Sequence, residues 1–403
     1  MVKRALLFTL FIIFASFNFV YAQSWTQVNT DGFGGDVRNE EARLIVYKNM
    51  LYVSIDNWGG ANQIWRTSAV GGPPFTDWEQ VNTDGFGDGK NNSEANFAVY
   101  NNFLYVTVYN EVTGCEVWRT AGVGGPPFTD WEQVNTDGFG DGNNVGGIIG
   151  VYNNFLYVVT DKEVTGCEVW RTAGVGGPPF SDWEQVNTDG FGDGNNTGGI
   201  IGVYNNFLYV VIDDNEVTGC EVWRTAAVGG PPFTDWEQVN TDGFGDGNNT
   251  GGIIGVYNNF LYVVANNNEV TGCEVWRTAG VGGPPFSDWE QVNTDGFGDT
   301  GNKWVKNPVV YNNCLYIAVE NSAGAEIWRT AGVGGPPFTD WKQVNTNGFG
   351  DINNYVASLA VYNKVLYSAT SNEVTGCEVW EYREYPTPAF KAMPWVPLLL
   401  LDD

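Results

Sequence analysis

The chain has 403 residues, 15% of them aromatic, with 53 glycines and only 16% charged side chains; this suits short strands and tight turns and excludes disorder. The formal charge is −28, or −30 without Lys3 and Arg4, which repels phosphate backbones and excludes nucleic acid as a partner. Histidine is absent, and with it the usual general base, nucleophile activator and transition-metal ligand.

Residues 1–22 read as a signal peptide. Lys3 and Arg4 form a charged start, 5–20 are nearly all apolar, and Val20 and Ala22 are small enough for cleavage before Gln23. The protein is therefore expected to be secreted or displayed at the cell surface. The apolar run falls short of the ~20 residues a span needs, so no transmembrane segment is expected after cleavage.

Residues 23–383 are a repeat. Segments of the form Trp-x-Gln-Val-Asn begin at Trp25, Trp78, Trp131, Trp183, Trp236, Trp289 and Trp341, at spacings of 52 or 53. A period of that size with several strands per unit belongs to propeller blades. In the third unit, 147–152 (GIIGVY) and 155–160 (FLYVVT) flank Asn153-Asn154 and predict a hairpin. Residues 167–172 (CEVWRT) predict a third strand. A fourth, 183–187 (WEQVN), follows a loop holding Pro178 and Pro179. The last unit lacks its fourth strand, while 24–29 form such a strand with no blade before it. The expected fold is all-β: a seven-bladed propeller of four-stranded antiparallel blades, closed by the N-terminal strand. Residues 384–403 leave the repeat as a proline-rich tail.

The paired tryptophans of each unit, such as Trp118 and Trp131, are expected in the core between blades. Gly146-Gly147 is expected to line a crowded central channel. Cys115, Cys167, Cys220, Cys273 and Cys377 share one repeat position, too far apart on neighbouring blades for the ~4.4–6.8 Å Cα separation of a disulfide. They read as buried thiols. A monomer is expected.

Trp118-Arg119-Thr120 followed by Gly-Gly-Pro-Pro-Phe-Thr-Asp130-Trp131 resembles the Asp-box turn of sialidase-type propellers, with a longer loop and without the inner Asp. Residues 151–158 (VYNNFLYV) are similar to the hairpin of kelch-type blades. The mature chain as a whole resembles uncharacterised secreted bacterial and archaeal propellers. That resemblance implies the architecture and no activity, since Asp-boxes of this class sit away from the active face.

The loop leaving each fourth strand, such as 137–147 (DGFGDGNNVGG), shares a face with the second-to-third-strand loop, such as 160–166 (TDKEVTG), and both are acidic. Calcium is the candidate cofactor. The spacing N-x-D-G-x-x-D puts oxygens at Asn135, Asp137 and Asp141, at Asn187, Asp189 and Asp193, and at Asn240, Asp242 and Asp246. The same residues also serve as turn caps that need no metal. For glycan or an extracellular protein, the candidate contacts are Phe139, Asn143 and Asn144, with Phe191, Asn195 and Asn196, and Phe244, Asn248 and Asn249. Near-identical blades favour multivalent binding over catalysis, because one substrate needs one asymmetric constellation. The irregular positions, Trp58, Lys90, Glu94, Lys303, Trp304 and Lys306, pair no nucleophile with a base. The chain is therefore read as a non-catalytic binding protein. A self-assembling surface component is the alternative, and a hydrolase or lyase the third possibility.

Overall fold

The computed structural model describes residues 20–387 except 58, 93, 94 and 267, and the side chains of 24–383 within that range. Residues 1–19 of the expected signal peptide and 388–403 of the tail lie outside the described residues, as do Trp58 and Glu94.

Seven four-stranded antiparallel sheets form a closed ring. The first blade is Asn39–Tyr47, Met50–Asn57, Gln63–Thr67 and Glu79–Gln80, from the channel outward. The last is Val356–Tyr362, Val365–Ser371 and Val379–Thr387, and its outer strand is the chain's own start, Val20–Gln27. Closure by the N-terminal strand follows the sequence expectation. The pairing extends from Gln27 with Trp380 to Val20 with Thr387, beyond the expected repeat boundaries at both ends.

The second strand of each blade is a continuous apolar run because it has a neighbour on each side. In Phe155–Asp161, Leu156 and Val158 pack toward the preceding blade while Tyr157 and Val159 pack toward the next. Side chains alternate across a strand, so one strand feeds two inter-blade cores. The hairpin at Asn153-Asn154 has both residues at positive φ, 49° and 63°, the conformation a two-residue turn requires. The Tyr152 hydroxyl donates to the carbonyl of Asn206 in the next blade's hairpin at 2.7 Å, and the interaction recurs around the ring.

The expected fourth strand is shorter than its segment. Only Glu184–Gln185 pair, because Trp183 turns to the outer rim and Val186 dives into the core. Cys115, Cys167, Cys220, Cys273 and Cys377 are buried free thiols, and burial pushes each well above its ordinary proton affinity, which makes it unreactive.

Blades join where two loops touch through glycine. A Cβ on Gly114 would lie 2.6 Å from the Cα of Gly138, and both residues have positive φ. Gly114→Ala should therefore cost about 1–3 kcal/mol, read as a lower urea midpoint with unchanged slope. Gly125→Ala, with nothing within 4 Å of the added methyl, should leave the midpoint nearly unmoved.

Candidate functional site

The inter-blade loop is tied at both ends by buried amides. Asn135 accepts from the Val117 amide at 2.7 Å and donates to the Cys115 carbonyl at 3.0 Å, which fixes it to the blade it leaves. Asn144, fully buried, donates to the Gly138 carbonyl and to Glu168 of the blade it enters, both at 2.9 Å. The same Glu168 oxygen accepts from the Trp170 indole at 2.8 Å. Asn187 and Asn196 repeat these bonds onto Val169 and Glu221, and Asn240 and Asn249 repeat them onto Val222 and Glu274. Burial raises the carboxyls of Glu116, Glu221, Glu274 and Glu378, against the lowering effect of their indole and amide donors.

The expected calcium oxygens are placed apart. Asn135 turns into the blade; Asp137 is exposed and accepts from Gln133 at 2.7 Å; Asp141 folds back to accept from Asn143 at 3.0 Å and pairs with Lys162 at 3.1 Å. Asp189 and Asp242 accept from Gln185 and Gln238, and Asp193 and Asp246 from Asn195 and Asn248. No group of three or more Cys, Asp or Glu side chains forms a metal cage among the described residues. Of the expected ligand contacts, Asn143, Asn195 and Asn248 are exposed, while Asn144, Asn196 and Asn249 are fully buried.

Phe139 has positive φ, 57°, a costly backbone for a bulky residue. Its ring is held by Trp170, stacked at 5.0 Å, and by Trp183, edge-on at 5.0 Å. Phe191 and Phe244 sit the same way on Trp223 with Trp236 and on Trp276 with Trp289. Seven such trios ring the molecule, the last being Phe349, Trp380 and Trp25. The tryptophans are half-buried rather than core: they cap the inter-blade clusters with one part and show the rest to solvent. Thr136, Phe139, Trp170, Phe180, Ser181 and Trp183 line an open groove of about 210 Å³.

A second region was not singled out from sequence. The residue six places after the start of each second strand is Asp56, Tyr109, Asp161, Asp213, Asn266, Glu320 and Ser371 around the ring, beside the start of the channel-lining strands. The near-identical blades three to five differ chiefly here. Inner strands add Glu41, Arg43 and Lys306, with Lys306 paired to Glu41. Enclosure by protein pushes the Asp161 carboxyl up to about 7, helped by Asp213 and Asp214 and opposed by Arg43. Enclosure likewise raises Asp213 to about 6, against Arg43 and Lys306. The signal available in sequence was the short variable stretch after each second strand, TDK at 160–162, IDDN at 212–215 and ANNN at 265–268.

No family profile and no curated protein matches the chain. Solved structures do match in fold. A polysaccharide lyase, Uly1, superposes with a TM-score of 0.52 at 11% identity, over 89% of this chain and 92% of that one. One of two prolyl endopeptidases gives 0.51 at 11% identity, over 89% of this chain, which spans only 52% of the endopeptidase's length. The β-propeller domain of the Trilobed protease from Pyrococcus furiosus gives 0.45 at 7% identity, over 86% and 99%. The likenesses to the lyase and the endopeptidase show a shared fold and leave the activity open.

Asp161 supplies a test of the channel electrostatics. Its unfolded carboxyl titrates near 3.8 and its folded one near 7, so between those values the folded state holds the extra proton. Stability then falls as pH rises from about 4 through 7. The groups acting on it are Asp213, Asp214 and Arg43, with Tyr109, Cys115 and Cys167 beside it. Asp161→Asn removes the titration, so it should raise the thermal midpoint at pH 8 by several degrees more than at pH 4.

Proposed function

We propose that the protein is a secreted, non-catalytic ring that binds glycan multivalently along the rim of its acidic loop face. One observation carries the reading: seven half-buried Phe–Trp–Trp trios on the rim, the one at Phe139 lining an open groove flanked by the hydroxyls of Thr136 and Ser181. An indole face packs against the apolar face of a sugar ring, and adjacent hydroxyls supply directional hydrogen bonds. Weak sites repeated around a rigid ring gain avidity without new contacts. The export reading rests on Lys3, Arg4 and the apolar run after them. The Asp-box-like turn supports the rim as a scaffold: Asp182 accepts from Thr172, Ala173 and Val175 at 2.6–2.9 Å and so closes the loop beside the groove, as Asp130 does in the preceding blade.

Calcium, if it binds, takes the exposed carboxylates of Asp137, Asp189 and Asp242 rather than the whole spaced set. A thermal midpoint higher in calcium than in chelator is the sign of it, and an unchanged midpoint removes calcium from the reading.

A second reading, a self-assembling surface component, draws on exposed valines repeated on two sets of loops: Val112, Val164, Val217, Val270 and Val374, and Val123, Val175, Val228, Val281 and Val333. Sedimentation separates it from the expected monomer, since assembly requires growth with concentration. For the glycan reading, array binding followed by calorimetry should give more than one oligosaccharide per chain. Silence across the array, or a strict one-to-one complex, would remove multivalent glycan binding.

A further inference from the structure

At the channel mouth the repeat gives way to residues that differ from blade to blade. Four consecutive blades bring Tyr109, Asp161, Asp213 and Asn266 to successive points on an arc floored by glycine. The Asp161 oxygens lie 2.4 Å and 2.8 Å from the points where Cβ atoms on Gly146 and Gly198 would stand. The Tyr109 ring edge is 3.2 Å from the same Gly146 point. On the next step, the Asn266 Oδ1 and the Asp213 carbonyl lie 2.3 Å and 2.4 Å from the Cβ point of Gly251. Any side chain at these glycines would displace the polar groups, so the floor and the arc depend on each other.

Two of these four side chains carry atoms without a partner. Asn266 is fully buried, and neither its Oδ1 nor its Nδ2 makes a hydrogen bond among the described residues. The Asp213 Oδ1 is buried with no partner. By contrast Asn144, equally buried, makes three bonds, although Asn62 in the first blade also leaves both amide atoms unpaired. A buried amide without partners costs a folded protein about 1–3 kcal/mol per group. Such groups in a native chain point to something bound there.

The kind of partner follows from which atoms are open. The set offers carboxylate and amide acceptors together with one amide donor. A metal ion would leave the Asn266 N–H unanswered and would face Arg43 and Lys306 nearby. An anion would meet Asp161 and Asp213. A hydroxyl both donates and accepts, and two neighbouring hydroxyls can give to a carboxylate while taking from an amide. We infer that the channel mouth is a single-copy sugar subsite, in which Asp213 and Asn266 hold a vicinal diol of one sugar unit and Asp161 and Tyr109 flank it. This deepens the glycan reading and rests on it: the rim grooves hold the length of a glycan, and the channel mouth takes one unit per ring. Burial raises the proton affinities of Asp161 and Asp213, so each carboxyl can donate to a hydroxyl as well as accept.

The test uses methyl glycosides of gluco, manno and galacto configuration, titrated calorimetrically into the mature full-length chain, Asp213→Ala and Asn266→Ala. Asn266→Ala breaks no side-chain bond of Asn266 and Asp213→Ala removes one backbone bond from Gly252, so circular dichroism melts establish that both variants fold before binding is compared. The expected result is one class of site at one per chain that weakens about tenfold or more in each variant. Weaker multiple binding should persist unchanged. If every phase is the same in the variants as in wild type, the channel subsite is wrong while the rim reading stands. If only a one-to-one phase exists and the variants abolish it, the subsite stands and the multivalent reading falls. Absence of binding by any glycoside at millimolar concentration overturns both. Calcium binding that both variants abolish would also overturn the sugar assignment.

Discussion

The ring depends on a buried hydrogen bond, made in six of the seven blades, between an asparagine on the loop that enters the blade and a glutamate at the start of that blade's third strand. Gln63 takes the glutamate's place in the first blade. Asn144 and Glu168 show it best: the glutamate gathers the amide and the Trp170 indole on one oxygen, in a site closed to water. A buried carboxyl so placed is costly to leave half-satisfied, so the loop has one position it can occupy. Asn135 anchors the other end of that loop to the previous blade. Each loop is thus a strap between two blades, and seven straps carry the ring through to closure by Val20–Gln27.

This division of labour explains why acidic and amide-rich loops on one face are not by that fact a ligand site. In the loop from Asp137 to Asn144, most polar groups are committed to the strap and its turns. The turn conformation itself is uphill, since Phe139 sits at positive φ, and the Trp170–Phe139–Trp183 packing offsets it. That packing also leaves aromatic surface on the rim, where structure and binding share the same side chains.

The architecture was legible in the sequence because its determinants are periodic: the tryptophan spacing, the Asn-Asn hairpins, and a terminal strand lacking a blade. The registers were less so. Nothing local shows that Trp183 leaves the fourth strand, because the rim position of that ring is set by Phe139 in the preceding loop. The candidate contacts divided for a similar reason. Asn143 and Asn144 are adjacent and chemically identical, yet one is exposed and the other is the strap's anchor, a difference made by Glu168, 24 residues away. The channel mouth was hidden because near-identity of blades three to five argued for equivalence. Their few differences, Asn266 in place of Asp161 and Asp213 among them, fall beside the channel-lining strands when the ring closes. Lys306 was visible as irregular, but its neighbours Glu41 and Asp213 come from distant blades.

The repeated polar residues thus build the ring, while at the channel mouth burial holds Asp161 and Asp213 protonated well above the usual carboxylate range, and the Asp213 Oδ1 and the Asn266 amide have no partner among the described residues. Site-resolved carbon-13 titration of the side-chain carboxyls tests this most directly. It should show the Asp161 and Asp213 positions titrating in two steps, near 7 and near 6. Titration of both near the ordinary value of 3.8 would mean that the protein already satisfies them, and would contradict the account.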